Sequence, residues 1–292
     1  MLPPTQLSGA DFAPPFAPRP GLGDRDAPDA ADVATLASAP IEVRGDWGDS
    51  RPRSPLTVVA RMREVSLTGM RLLSDHQPRA LRVDNRGTGA PHIWLHFDRS
   101  PLAWIVVNVT ARDWSKLAYQ FGHELGHVLC NSWEPEATPA NPCQWLEEAL
   151  VEAFSIRGLG LLAESWERDP PFPGNAAFAG AIRRYRDDLL AQYRTLAREQ
   201  GAAGNLAAWF RTQRGALEAR GGMRGPARGA VTAVLAELTS DPVCVEALGA
   251  LNRWPGRSGV PIEDYLRRWK RSCAELAASQ RLPIRLRKLL VG

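Results

Sequence analysis

Residues 120–129 read QFGHELGHVL and contain the pattern His-Glu-x-x-His. Positions four apart in sequence lie one turn apart on the same face of an α-helix. His123 and His127 can therefore direct ring nitrogens at one metal ion, while Glu124 flanks that ion without binding it. The arrangement is typical of a zinc hydrolase, in which the carboxylate takes a proton from a metal-activated water.

The residues around this motif predict the helix that carries it. Apolar positions recur at helical spacing and form one stripe, which comprises Trp114, Leu117, Ala118, Phe121, Leu125 and Val128. His123 and His127 lie off this stripe on a neighbouring face, so neither is needed to fill the core. Asp113 is a good N-cap for the same helix.

The composition is that of a globular protein with a sizeable core. The chain has 292 residues, of which 44% are hydrophobic and 23% charged, enough for one large domain or two small ones. The net charge is +4, but no block of five Lys or Arg occurs, so nucleic acid is not an expected partner. No apolar run reaches the roughly 18 residues of a membrane span.

The amino terminus and the cysteines give little information about location. Met1 is not followed by a charged segment and an apolar run, so no signal peptide is predicted. This favours a cytoplasmic protein, and a secreted or periplasmic mature form is the alternative. The four cysteines include no Cys-x-x-Cys pair, which argues against a structural zinc site. Nothing in the sequence indicates an oligomeric state.

Strands are expected in the first half of the chain and helices in the second. Residues 1–29 form a Pro- and Ala-rich arm that we expect to be disordered or extended. The pattern then predicts a short helix at 29–39, strands at 41–47, 80–83, 91–97 and 102–109, and a helix at 55–73. The last two strands are expected to form a hairpin.

Beyond the motif helix, residues 131–142 read as a loop, and a second helix is expected from Trp145 to about Arg168. Further helices are predicted at 176–198, 206–219, 228–239, 241–252 and 261–276. Pro242 stands at the first position of the fourth of these, where proline is tolerated. The basic tail over 281–292 is interpreted as a solvated or packed terminus.

Two further histidines, His92 and His96, lie on one face of the predicted strand at 91–97. Four residues along a strand span roughly 13 Å, so the two cannot join one tetrahedral site. They are expected to form the polar face of an exposed strand. The alternative is that this strand lines the cleft and one histidine contacts substrate.

A catalytic zinc site usually has three protein ligands, so a third is expected after His127. The candidates are Glu134, Glu136, Glu147, Glu148 and Glu152. Glu134 and Glu136 lie in a Pro-rich loop, which is a less rigid platform. Glu148 and Glu152 are four apart on one helix face, which would place one carboxylate on the metal and the other beside it.

Residues 123–127 (HELGH), followed after an interval by 145–150 (WLEEAL), resemble the gluzincin zinc metallopeptidases, which include thermolysin-like and aminopeptidase-like enzymes. The resemblance covers about residues 102–160. It implies that Glu148 is the third ligand and that Glu152 hydrogen-bonds the first zinc histidine. The chain departs from the family pattern at Glu147, where Asn is usual, at Ala149 for Gly, and at Glu152 for Asp. Glu147 could compete as a ligand but lies about 100° round the helix from Glu148.

The resemblance implies an α+β fold, with a small N-terminal β-sheet packed on the zinc-binding helix and a mainly α-helical C-terminal half. The expected division is a zincin-like catalytic core at 30–168 and a helical subdomain over the cleft at 169–292. The metzincin variant is excluded because it needs Gly and His where this chain has Cys130 and Trp133.

The expected activity is hydrolysis of a peptide or protein substrate with one catalytic Zn²⁺. Zinc held by His123, His127 and Glu148 would lower the pKa of its water, and Glu124 would act as general base. Tyr185 is the predicted oxyanion donor. The alternatives for that role are Tyr119, Tyr193, Tyr265, His92 and His96. Two alternatives are a catalytically inactive zinc-binding pseudo-peptidase that serves as a protein-binding module, and a helical scaffold without metal.

Overall fold

The computed structural model describes residues 35–48, 53–72, 76–96, 101–134, 137–138, 140–172, 176–222 and 225–292. The predicted arm at 1–29 lies outside these ranges, as does the first part of the helix predicted at 29–39. The described part of that helix, residues 35–39, forms only a turn, in which Ser38 N and Ala39 N donate to Thr35 O. The helix prediction is therefore wrong there.

A four-stranded sheet forms the described N-terminal region. Its strands are β1 (Ile41–Gly45), β2 (Ala80–Asn85), β3 (His92–Ile93) and β4 (Leu102–Val107). They lie in the order β1-β2-β4-β3, with β1, β2 and β4 parallel and β3 antiparallel to β4 at one edge. The helix α1 (Arg53–Leu67) connects the parallel strands β1 and β2.

The predicted hairpin is confirmed, but its first strand is shorter than expected. The prediction of a strand at 91–97 is wrong over residues 94–96, although Trp94 N still donates to Trp104 O, and residue 97 lies outside the described ranges. His96 Nε2 then lies 2.8 Å from Leu102 O. The His96 side chain thus contacts the Leu102 carbonyl oxygen that a further backbone N–H of β3 would need, and the strand pairing ends.

One face of the sheet is buried because buried residues alternate with more exposed residues along β2 and along the first part of β4. Leu81, Val83, Ala103, Ile105 and Val107 are all buried. They pack with α1 and with α2 (Trp114–Leu129), the helix that carries the histidine motif. Full burial of each large aliphatic side chain stabilises the fold by roughly 1.5–3 kcal/mol. The sheet is thereby fixed beneath α2.

The rest of the described chain is helical, so the α+β prediction is confirmed. The helices are α3 (Gln144–Arg168), α4 (Phe178–Glu199), α5 (Leu206–Ala219), α6 (Val231–Ser240), α7 (Ile262–Glu275) and α8 (Arg281–Leu290). Residues Gly225–Ala230 and Pro242–Ala250 are 3₁₀ helices, so the second corrects the α-helix expected at 241–252. Across the described residues, no helix combines the length and apolar character of a membrane span.

The basic tail forms a packed helix, α8. Leu282, Leu286 and Leu290 are buried, while Arg281 and Lys288 face solvent. Leucines at spacings of four residues form one apolar stripe, which explains why this short segment is helical. Of the two interpretations of the tail, the packed terminus is the one that holds.

Two glycines let α2 and α3 approach closely. A Cβ on Gly126 would lie 2.8 Å from the Cβ of Val151, and one on Gly122 would lie 2.9 Å from Ser155 Oγ. Real Cβ atoms essentially never come that near, so any larger residue would push the helices apart. Because Gly122 and Gly126 each precede a motif histidine, the close approach occurs where the histidines face α3.

Candidate metal centre

His123 and His127 lie one turn apart on α2, as the spacing predicts. Asp113 caps the helix as expected, because its Oδ1 accepts a hydrogen bond from Lys116 N at 3.2 Å. The two imidazole rings meet edge to face with centroids 5.1 Å apart. Both rings present Nε2 on the side of α3, where a shared ligand could bind.

Glu148 of α3 completes a three-residue donor set. Its Oε2 lies 3.4 Å from His123 Nε2 and 3.7 Å from His127 Nε2. One ligand atom from each residue falls within 4.8 Å of the others, so the cluster could hold a metal ion. The side chains are 16%, 13% and 15% exposed, so the cluster is mostly buried but keeps some contact with solvent. Two imidazole nitrogens and one carboxylate oxygen fit the donor set of a catalytic zinc site.

The other early candidates lie elsewhere. Glu134 pairs with His76, whose Nδ1 is 2.6 Å from Glu134 Oε1. Glu136 is outside the described residues. Of the candidate glutamates that are described, only Glu148 directs an oxygen at the Nε2 atoms of both histidines.

Glu152 occupies the position that the resemblance implied. Its Oε2 accepts a hydrogen bond from His123 Nδ1 at 2.9 Å. Its other oxygen accepts from the hydroxyls of Tyr119 and Tyr193, both at 2.7 Å, and the residue is 1% exposed. With Nδ1 holding the proton, Nε2 of His123 keeps a lone pair for a metal. Its role toward a bound metal stays a prediction.

Glu147 supports the second histidine, His127. This contact was not predicted from the sequence. Its Oε1 accepts from His127 Nδ1 at 2.8 Å, and its Oε2 accepts from Asn252 Nδ2 at 2.7 Å. The helices α2 and α3 run antiparallel here, so the later histidine meets the earlier glutamate. The contact depends on this antiparallel pairing of two helices, which the residue spacing along either helix alone does not encode.

The ionisable groups of the cluster shift one another's pKa values. Burial alone would lower the pKa of His123, but its hydrogen bonds to Glu148 and Glu152 raise that pKa to about 10. The pKa of His127 is also raised, against the effect of burial, by Glu148 and Glu147. Burial would raise the pKa of Glu148, but the two histidines lower it. The ligand set without metal is therefore a carboxylate between protonated histidines.

Glu124 lies among these groups and is nearly inaccessible, with 3% of its surface exposed. Burial raises the pKa of its carboxyl group, and the charges of His123 and His127 oppose that shift. Within the described residues, Glu124 accepts no hydrogen bond. Its carboxyl group is therefore held near the histidines by charge and packing, without a hydrogen-bond partner among the described residues.

The predicted oxyanion donor, Tyr185, stands beside the cluster rather than in its hydrogen-bond network. Its ring packs on Tyr119 with centroids 5.8 Å apart, and burial raises the pKa of its hydroxyl. Its hydroxyl has no hydrogen-bond partner in the described part of the chain. The oxyanion role of Tyr185 stays a prediction.

His92 lies on the α2 side of the sheet edge, and whether it contacts a substrate stays a prediction. β3 contacts α2, and the charge of His92 contributes to lowering the pKa of Glu124. His92 Nδ1 lies 2.8 Å from Ala90 O, so Nε2 is the ring nitrogen that remains for a further contact. His96 is held against Leu102 O instead.

No protein-family model, curated protein or solved structure matches this chain. In the described part of the chain, His123, His127 and Glu148 form the one group of three or more His, Cys, Asp or Glu with metal-binding geometry.

Proposed function

We propose that this chain is a zinc-dependent metallopeptidase of the gluzincin type that hydrolyses peptide bonds in a peptide or protein substrate. The observation that carries the proposal is the convergence of two Nε2 atoms and one carboxylate oxygen beside the buried Glu124, which accepts no hydrogen bond from the described residues. A zinc ion held by these three ligands would supply a Lewis acid that activates water and polarises a carbonyl.

The protein's own residues would then move the proton. Glu124 takes it from the attacking water and delivers it to the leaving amine. A carboxyl group whose pKa is raised by burial is suited to both steps, because it holds the proton between them. Glu152 and Glu147 hold the histidine rings in the tautomer that leaves Nε2 free. Tyr185 is proposed to donate to the developing oxyanion.

The first test is whether the protein binds zinc and cleaves peptides. We expect about one zinc per chain after dialysis, together with cleavage of a mixed peptide library. Glu124→Gln should keep its zinc and lose roughly 10²- to 10⁴-fold in kcat, because only the proton acceptor is removed. Glu164→Gln, the same change on an exposed position of α3, is the control.

The outcomes separate the alternatives. Equal cleavage by wild type and Glu124→Gln would show that the proposed base is wrong. A zinc-loaded wild type that cleaves no peptide would favour the zinc-binding module without activity. A wild type that retains no zinc would exclude both metal-dependent proposals. Tyr185→Phe tests the oxyanion role and should lower kcat by about 10²-fold with little change in KM.

A further inference from the structure

The carboxylate behind His127 is held by residues from the far end of the chain. Glu147 Oε2 accepts from Asn252 Nδ2 at 2.7 Å, and Asn252 Oδ1 accepts from the hydroxyl of Tyr265 at 3.0 Å. Asn252 is 2% exposed and Tyr265 is completely buried. The chain Tyr265–Asn252–Glu147–His127 is therefore a continuous set of hydrogen bonds leading to a proposed metal ligand.

The backbone at Asn252 is fixed in an unusual conformation. Its φ is +59°, a value that most residues with a side chain rarely adopt and that Asn tolerates better than most. The amide of this side chain also lies 3.3 Å from Cys130 O and from Ser132 Oγ. The position thus combines a left-handed backbone with a side chain that is bonded on both its oxygen and its nitrogen.

The surrounding segment is bound to the loop that joins α2 to α3. Asn131 Nδ2 donates to Gly249 O and Leu251 O, at 3.1 and 2.8 Å. Arg257 Nη2 donates to Asn131 O at 2.6 Å, and Cys143 N donates to Ser258 O at 2.9 Å. Residues 249–258 thereby connect the end of the first ligand helix with the start of the second.

We infer that Asn252 and Tyr265 are positioning residues of the metal centre, which orient Glu147 and through it His127. The inference rests on the proposed metal site and concerns residues that touch neither metal nor substrate. Glu147 has no other hydrogen-bond donor on Oε2 among the described residues. When Asn252 cannot donate, that buried oxygen loses its partner and the carboxylate no longer fixes the ring of His127.

Two substitutions in the full-length chain test the inference. Asn252→Asp has nearly the same shape but places an oxygen against Glu147 Oε2. Tyr265→Phe removes only the hydroxyl. Partners of this kind typically contribute about 10- to 100-fold to metal affinity, so Asn252→Asp should weaken zinc binding by that factor. Tyr265→Phe should have a smaller effect in the same direction.

Trp269→Phe is the matched control, since Trp269 is buried on the same helix α7 and its Nε1 donates to Ala247 O at 2.7 Å, away from the metal centre. Zinc affinity is measured by competition with a chromophoric chelator. The visible spectrum of the Co²⁺-substituted protein reports ligand geometry independently of activity. Thermal unfolding of the metal-free proteins measures general destabilisation.

The expected result is reduced zinc affinity and an altered cobalt spectrum in Asn252→Asp and Tyr265→Phe, with both unchanged in Trp269→Phe. Unchanged affinity and spectrum in the two test variants would overturn the inference. So would an equal loss in Trp269→Phe, because the effect would then follow from destabilised packing. The two deciding measurements, zinc affinity and the cobalt spectrum, report metal binding and not activity. A wild type that binds zinc without cleaving peptides would therefore refute the proposed activity and leave this inference standing.

Discussion

His123 and His127 are each hydrogen-bonded by a buried glutamate, but the two glutamates are supported by different parts of the chain. Glu152, behind His123, receives hydroxyls from Tyr119 and Tyr193, on α2 and α4. Glu147, behind His127, receives the amide of Asn252, which lies 105 residues later. The first arrangement has two donors on one oxygen, and the second has a single donor in series with Tyr265.

Glu152 is therefore supported redundantly, by two independent donors. Glu147 is supported in series, by one donor that is itself hydrogen-bonded to Tyr265. Loss of one tyrosine leaves Glu152 with the other, whereas loss of Asn252 leaves Glu147 Oε2 without a donor in the described residues. The two histidines should therefore respond unequally to changes outside α2 and α3.

Glu148→Gln should have the largest effect because Glu148 lies between the two histidines and serves both. The amide removes the negative charge from the donor set. Zinc binding at structural sites has a free energy of about 10–16 kcal/mol, and the three ligands here would share a binding energy of that order. Zinc affinity should fall by more than roughly 10³-fold. Competition titration measures it, with Glu164→Gln as control. Retention of zinc at the wild-type affinity would exclude Glu148 as a ligand.

Glu152→Gln and Glu147→Gln compare the two supports directly. In each variant an amide can face Nδ1, which favours the histidine tautomer with a proton on Nε2, the atom needed for the metal. Each should weaken zinc binding by about 10- to 100-fold. If one variant binds zinc like the wild type, its histidine is not held through that carboxylate and the comparison fails on that side.

Zinc affinity should rise with pH. In the metal-free protein the pKa of His123 is raised to about 10, so near pH 7 a metal must displace its proton. Each displaced proton changes the apparent affinity by about tenfold per pH unit, and the raised pKa of His127 adds to the slope. Titrations at pH 6, 7 and 8 measure this slope. A pH-independent affinity would contradict the assigned protonation.

The same shift affects the stability of the metal-free protein. A histidine pKa raised from its ordinary value near 6.5 to about 10 stabilises the fold below pH 6.5. That stabilisation is lost as pH rises toward 10, because the folded state then releases a proton that the unfolded state has already lost. Thermal unfolding in chelator should therefore show a falling midpoint from pH 7 to 10, and a rising one would reverse the sign.

Tyr119→Phe and Tyr193→Phe should have the smallest effects. Each removes one of two donors to the same oxygen of Glu152, worth about 1 kcal/mol of unfolding free energy. Zinc affinity should change less than in Asn252→Asp, and the double variant should approach Glu152→Gln. Calorimetric unfolding and zinc titration measure both quantities. Single variants as damaging as Asn252→Asp would show that the support of His123 is serial as well.

The local part of the site could be predicted from sequence, because it depends on helical periodicity. The spacing of His123 and His127 and the pairing of Glu148 with Glu152 both follow from residues four apart on one helix. Glu147 was set aside as a competing ligand because it lies round the helix from Glu148. Nothing on a single helix shows that a second helix, running antiparallel, places His127 on that other side.

The distant part of the site could not be predicted. Tyr193, Asn252 and Tyr265 reach the cluster through tertiary packing, and no local spacing relates them to the motif. The same limit applies to the sheet. Alternating residues at 91–97 and a continuous apolar run at 102–109 predicted two strands and their hairpin. The parallel pairing of β2 with β1 and β4 depends on long-range contacts that a pattern does not encode.

The serial support of His127 also sets an order of events during synthesis. The three donor residues and the partners of Glu152 have all been synthesised once α4 is made, but Tyr265 follows 72 residues after Tyr193. At about 5–20 residues per second, several seconds separate the two stages. A growing chain thus presents the three donor residues before the second support exists. If these residues bind zinc as proposed, tight metal capture and any hydrolysis that depends on it wait until Tyr265 has been added.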